Sequence, residues 1–178
     1  DGLTRETLQT SPGQSANING MTELSFGAKM HVLDGVTEAG VPGMAVLLHV
    51  DTPTGSEAFR NPGYRPSIRV VAEWDLSPHY TAGVMAGVRH DNSDVFGRYN
   101  AGIVGVVVGR SFTDRFRTFA EFAAPQLAAG RDGGNIMTYN LGAAYLLSER
   151  LQLDSAINIG ANENTPDYAS TIGLSFKL

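Results

Sequence analysis

Stretch after stretch of this chain alternates apolar and polar residues, and that period of two fixes most of what it can fold into. In Arg69-Val70-Val71-Ala72-Glu73-Trp74-Asp75-Leu76, one phase holds Val70, Ala72, Trp74 and Leu76. The other holds Arg69, Val71, Glu73 and Asp75. Side chains of a strand point alternately to opposite faces, so the pattern demands a strand with one face in an apolar medium and one in a polar medium. The split recurs in Leu24, Phe26, Ala28, Met30 and Val32 against Glu23, Ser25, Gly27, Lys29 and His31. It recurs again in Met44, Val46, Leu48 and Val50 against Leu47, His49 and Asp51. No stripe at helical spacing competes, and a chain with 21 glycines and many β-branched residues is a poor helix former.

The pattern predicts strands near 20–33, 39–51, 65–76, 79–90, 96–112, 115–125, 135–147, 150–161 and 167–178, with a weaker tenth in residues 2–10. Connections alternate in length. Ser77-Pro78-His79, Thr113-Asp114 and Ser148-Glu149 are short, and Leu33–Glu38 is somewhat longer. Thr10–Asn19, Thr52–Tyr64, Asp91–Val95, Gln126–Gly134 and Asn162–Pro166 are long and rich in turn formers. Tight turns at one end and loops at the other describe an up-and-down meander, the plan of outer-membrane barrels, whose short turns are periplasmic. Strands of roughly 10 to 13 residues suit a tilted crossing of about 25 Å of apolar height. The 178 residues form a single domain spanning 1–178.

Composition removes several classes. A net charge of -5 leaves no basic excess to meet nucleic-acid phosphates. The absence of cysteine excludes disulfide scaffolds, thiolate metal sites and cysteine nucleophiles. No apolar run reaches the roughly 18 residues of a membrane-spanning helix, a test to which alternating β-strands are blind. The polar opening at Asp1 holds no signal peptide, so any export signal is expected to have been removed or to lie outside this sequence.

Period two alone does not say which phase faces outward, because a soluble ligand-binding barrel alternates with its apolar phase inside. Three features favour apolar outward. The chain ends Thr171-Ile172-Gly173-Leu174-Ser175-Phe176-Lys177-Leu178, apolar at every second position, and resembles the C-terminal recognition signal of outer-membrane barrels with Leu in place of the usual terminal Phe. Trp74, Tyr80, Phe112, Phe116 and Tyr145 lie on the apolar phase beside the short turns, as rings at a membrane–water interface do. The apolar phases are almost free of charge, with Arg110 the main exception, at a strand end from which it can snorkel. The expected fold is an all-β, antiparallel up-and-down transmembrane β-barrel of about 10 strands. Val70, Trp74, Val84, Val104, Val106, Leu141, Tyr145, Leu153, Ile157, Leu174 and Phe176 would face lipid. Gly173, Phe176 and Leu178 would carry the assembly signal read by the outer-membrane insertion machinery.

The ordered segments Glu23-Leu24-Ser25-Phe26-Gly27-Ala28-Lys29, Pro53-Thr54-Gly55, Phe112-Thr113-Asp114-Arg115 and Leu147-Ser148-Glu149-Arg150-Leu151-Gln152-Leu153-Asp154 carry a resemblance. With Gly160, Asn162 and Pro166-Asp167 they cover most of 22–178. The chain resembles the outer-membrane β-barrel transporter family of the MetA pathway of phenol degradation. The resemblance implies an outer-membrane location in a Gram-negative envelope and passage of hydrophobic or aromatic compounds. That family carries further strands upstream. The strand at 20–33 descends into a short turn, so a rising strand must precede it. A ten-stranded barrel is one expectation, a chain lacking upstream strands of a barrel of about twelve the other.

With the polar phase inward, the lumen would be lined by Glu23, Lys29, His31, His49, Asp51, Arg69, Glu73, Asp75, Arg89, Arg115, Arg117, Glu121, Asn140, Gln152, Asp154 and Asn158. Opposed charges there can frame a thin selective path, or can interlock and fill a narrow barrel. His31, His49, His79 and His90 lack the spacing of a zinc site, and His49 near Glu23 and Ser25 reads as a hydrogen-bond network rather than a catalytic triad. His79-Tyr80-Thr81 is similar to the His-any-Ser of lipid A deacylases, but Thr replaces Ser and the segment sits at a short turn. Gly102, Gly105 and Gly109 precede no helix, so they ease curvature rather than cradle a phosphate. Asp91, Asp94, Asp132 and Glu163 lie in loops without the ligand spacing of a calcium site. No catalytic residue, metal or cofactor is expected, and the partners would be the lipid bilayer, the insertion machinery and a small solute. Three function classes remain at this stage: a narrow channel or transporter, a non-conducting structural or anchoring barrel, and a soluble ligand-binding barrel.

Overall fold

The computed structural model describes residues 3–11, 14–93, 95 and 97–177. Nine strands form one antiparallel meander in which every strand pairs with its sequence neighbour. They are β3 (Ser25–Leu33), β4 (Gly43–Asp51), β5 (Arg65–Ser77), β6 (Tyr80–Ser93), β7 (Gly97–Ser111), β8 (Phe116–Leu127), β9 (Ile136–Ser148), β10 (Leu151–Gly160) and β11 (Tyr168–Phe176). A separate hairpin precedes them, β1 (Leu3–Ser11) paired with β2 (Gln14–Met21). The strand expected in 2–10 is therefore β1, and the loop expected over Thr10–Asn19 is corrected: most of it is strand. Short 3₁₀ turns at Thr37–Ala39, Glu57–Phe59 and Gly130–Asp132 lie in the longer connections. The first ends on Gly40, whose φ of 65° turns the chain into β4 at no steric cost.

The expected meander is present, and the expected closure is not. The sheet is open, with β3 and β11 as its edges. Directions alternate along a meander, so these two edges run the same way.

Register gives the sheet two chemically distinct faces. Trp74, Ala82, Val108, Ala120, Leu141 and Ile157 stand in one cross-strand row, and Ala72, Val84, Val106, Phe122, Tyr139 and Ile159 in the next. On the opposite face Glu73, Gly83, Val107, Glu121, Asn140 and Asn158 form a row.

Among the described residues no second layer covers the apolar face. Phe26 is 63% exposed, Ile172 82% and Phe176 65%, and Val70, Val84, Val106, Leu141 and Ile157 are exposed too. The buried apolar side chains among the described residues are four alanines, Ala45, Ala101, Ala124 and Ala144, and Ile103. Accessible surface is 12030 Å², against about 8300 Å² for a compact water-soluble monomer of this length. A water-soluble sheet would bury its apolar side under helices or a second sheet.

One irregularity re-aims a functional side chain. Pro125 has no amide hydrogen to give a ladder, and the pairing of β8 with β9 slips between Ala123 and Gln126. Counted by twos from Phe116, Gln126 belongs to the apolar phase. The slip turns it to the polar face, where it is buried.

Candidate functional site

The polar face gathers its charges at the end of the sheet that bears the long loops. Arg65, in the first position of β5, is the hub. Its guanidinium pairs with Glu23 and lies 3.4 Å from Asp51 Oδ2 and 3.6 Å from Asp91 Oδ1. Strand pairing dictates this meeting: Arg65 is directly opposite Asp51, and Ser67 opposite Arg89 brings Asp91 alongside Arg65. Arg89 contacts Asp91 at 2.6 Å and donates to Gln126 Oε1 at 3.4 Å. Tyr99 also donates to Gln126 Oε1, at 3.1 Å, while Gln126 Nε2 donates to the Gly134 carbonyl at 2.9 Å. His49 Nδ1 stands 3.6 Å from Asp51. The network thus ties β4 through β8 to the loop before β9.

Glu23 extends the network to the mouth. Its second oxygen accepts the Asn61 amide at 2.6 Å, fastening the connection between β4 and β5. The same connection is held by Thr52 Oγ1 donating to the Leu24 carbonyl at 2.8 Å and by Met21 N–H donating to Ser56 Oγ at 2.8 Å. Buried charge of this kind is tolerable only when paired, and each carboxylate here has a guanidinium. Arg69 is the exception. It donates to Ser67 Oγ at 3.3 Å and forms no ion pair among the described residues.

A second network lies toward the tight turns. Arg117 donates to Gln152 Oε1 at 3.1 Å, Gln152 donates to Asp154, and Ser175 donates to Asp154 Oδ2 at 2.9 Å. Asn140 donates to Glu121 Oε2 at 2.7 Å between them.

The expected lining residues sort as follows. Lys29, His31, His49, Asp51, Arg69, Glu73, Asp75, Arg89, Arg117, Glu121, Asn140, Gln152, Asp154 and Asn158 all stand on the polar phase. Glu23 lies in the connection between β2 and β3, buried against Arg65. Arg115, expected on the lining as the first residue of its strand, is corrected: it sits in the exposed turn between β7 and β8. Lys29, His31, Glu73 and Asp75 are exposed and apart from both networks, and His31 pairs locally with Asp34 at 3.1 Å. Asp91, expected in a loop, is the most deeply buried acid of the loop-end network, 3% exposed on β6. Arg65, Tyr99 and Gln126 belong to that network although the alternation did not single them out. Gly173 faces Asp154 on the polar side and Phe176 is exposed on the apolar side, while Leu178 and Asp94 lie outside the described residues.

The turn-end rings form a cluster on the apolar phase. Phe112 and Phe116 are 5.6 Å apart, Phe116 and Tyr145 6.5 Å. Trp74 donates its indole N–H to the Gly40 carbonyl at 3.1 Å. Among the described residues no group of three or more His, Asp or Glu side chains is arranged to hold a metal ion.

No individual curated protein matches the chain. A family profile does, over residues 2–178, the whole stretch on which both networks and both faces lie. The chain belongs to the family described as "Putative MetA-pathway of phenol degradation".

Proposed function

We propose that this protein is an outer-membrane β-barrel of a Gram-negative envelope, acting as a narrow channel or transporter for small solutes, aromatic ones included. The observation that carries the reading is the division of one uncovered sheet into an exposed apolar face and a face holding buried ion pairs. Only a medium that is apolar on one side and wet on the other satisfies both at once. Family membership agrees with a β-barrel and with aromatic substrates.

Closure follows from direction. Edges that run the same way are joined in antiparallel fashion only by an odd number of further strands, so totals of ten or twelve fit and eleven does not. A barrel of that size has a lumen narrow enough for opposed side chains to meet across it. Selectivity would then come from charge and width at the two networks, with no covalent chemistry and no cofactor. The bilayer and the insertion machinery are its partners, the latter through Gly173, Phe176 and Leu178.

A second reading rests on the loop-end network itself, which can fill the lumen and leave a non-conducting anchoring barrel. Two measurements divide these readings. Migration that changes on heating in mild-detergent gels is expected of either barrel and not of a soluble protein. Conductance in planar bilayers, or swelling of liposomes by small solutes, is expected of the channel alone. Folded protein that is silent in both assays leaves the anchoring barrel.

A further inference from the structure

The apolar face is not uniformly bulky. Across β7 to β11 runs a trough of about 760 Å³. Register explains it. Thr118, Ala143 and Ser155 stand in one cross-strand row and Ala120, Leu141 and Ile157 in the next, and the small side chains of the first row leave the space beside the second. At the spacing of paired strands the trough extends about 19 Å, the reach of a fatty acyl chain. Strand tilt of about 35–45° turns it obliquely toward the bilayer normal.

The row that begins on Thr118 ends on Arg110, its partner in β7. Arg110 also lines the trough. Its guanidinium lies 4.4 Å from the Phe112 ring centroid and 5.4 Å from that of Tyr80. None of the ion pairs among the described residues includes it. The carboxylates buried among the described residues, Glu23 and Asp91, belong to the loop-end network with Arg65 and Arg89. A cation held against rings at the edge of an apolar surface, with no anion of its own chain, is complementary to a headgroup phosphate. The planar fork of donors matches phosphate oxygens, and the ring contacts keep it at interfacial depth.

We propose that this trough and Arg110 form a site for one anionic phospholipid, an acyl chain lying between these two rows and the phosphate on Arg110. The site lies at the tight-turn end, hence in the periplasmic leaflet, and it rests on the membrane-barrel reading above. The apolar trough selects a lipid over a free anion. The cation selects an acidic headgroup over a zwitterionic one.

The test is native mass spectrometry of the protein purified in non-ionic detergent, with phosphatidylglycerol, phosphatidylcholine or the chain-free headgroup glycerophosphoglycerol added. Heat-modifiable migration is recorded on the same samples. Wild type should retain one phosphatidylglycerol at least about fivefold better than phosphatidylcholine, the scale of one interfacial cation, and should not retain the chain-free headgroup. Arg110→Gln, a change at an exposed position, should abolish the headgroup preference. Ala143→Trp should fill the trough and lower retention of both lipids. Arg110→Gln that migrates as a folded barrel and keeps the wild-type preference for phosphatidylglycerol overturns this site and leaves the barrel reading intact. Binding of glycerophosphoglycerol as tight as the lipid, or a second copy of the chain in place of lipid, also overturns it. Wild type with no folded, heat-modifiable form overturns the barrel reading and the site together.

Discussion

The ring of Phe119 lies over Gly142 on the polar face, in the space a Cβ on residue 142 would need. The two residues are directly opposed in the pairing of β8 with β9. The same relation recurs: Gly27 under His49, Gly83 under Val107, Gly87 under Arg69 and Gly109 under Thr81, each pair directly opposed. Curling a sheet crowds the side chains on its concave side, and a glycine opposite each large residue relieves that crowding. Gly142→Ala should therefore lower stability by about 1–3 kcal/mol through overpacking. Part of the loss should return when Phe119→Ala is added, the remainder reflecting the Ser155 carbonyl 2.8 Å from the same point. Urea unfolding from lipid vesicles reads this out, and strictly additive effects would refute the pairing.

Arg65 should be the costliest polar residue to remove. It serves Glu23, Asp51 and Asp91 together, and its side chain is only 14% exposed. Arg65→Gln leaves buried Glu23 without its guanidinium, a loss of about 3–5 kcal/mol, while Asp91 keeps Arg89. Combining it with Glu23→Gln should cost less than the sum of the single changes, because one removes the charge the other strands. The same unfolding experiment decides it; a loss below about 0.5 kcal/mol, typical of surface sites, would mean that the pairs are solvated.

The alternation of residues revealed the meander and its two phases because the strands carry an apolar band on one face, and wherever that band is present it marks them. It failed where strands run past the band. β6 continues to Ser93 and β8 to Leu127, beyond the ends expected near residues 90 and 125. There the period is lost, because His90 to Ser93 is polar on both phases and Pro125 interrupts β8, so Asp91 and Gln126 read as loop. Gln126 was doubly hidden, since the slip at Pro125 reverses its phase. Arg65 stands at the strand start expected at residue 65, but it adjoins the long Thr52–Tyr64 connection and was not counted with the polar lining. It nonetheless shares the phase of Arg69, and that two-residue periodicity was the available signal. β2 was missed because Gln14–Met21 offers just two alternating apolar residues, Ala16 and Ile18, too short a run to mark a strand. Arg115 erred the other way, a turn residue counted as the first of its strand.

Charge on the apolar face should be costly only in a membrane. Val106→Arg and Leu153→Arg should each destabilise by about 2–4 kcal/mol in vesicles if these residues lie near mid-bilayer. Both are exposed on the uncovered face, so in a water-soluble protein the same changes would be nearly neutral. Asn158→Arg, on the polar face, is the control. Unimpaired vesicle folding by both apolar-face variants would remove the lipid-facing assignment.

Removal of residues 176–178 should prevent delivery to the outer membrane. Phe176 is opposite Leu151 at the last rung of the final ladder, so the loss shortens one edge without touching either polar network. Fractionation should find the truncated chain in the periplasm and degraded. Normal outer-membrane yield would separate assembly from the Gly173–Phe176–Leu178 pattern.

Reversing one wall charge should change which ions pass. Arg117 is the basic member of the turn-end network, donating to Gln152, with Glu121 two rungs along the same face of β8 and already engaged by Asn140. Arg117→Glu removes the donor to Gln152 and sets a new carboxylate between Glu121 and Asp154, which is next but one across the sheet. Two consequences follow from one change. The wall gains negative potential at a narrow point, so reversal potentials in planar bilayers should shift toward cation preference. Like charges also push apart, so single-channel conductance should rise if the network is part of the constriction and stay level if the loop-end network is narrower. Arg65 and Arg89 variants then discriminate, since loosening the loop-end network should raise conductance where Arg117→Glu did not. Wild type and every variant silent while folded would refute the channel and assign both networks to holding the wall together.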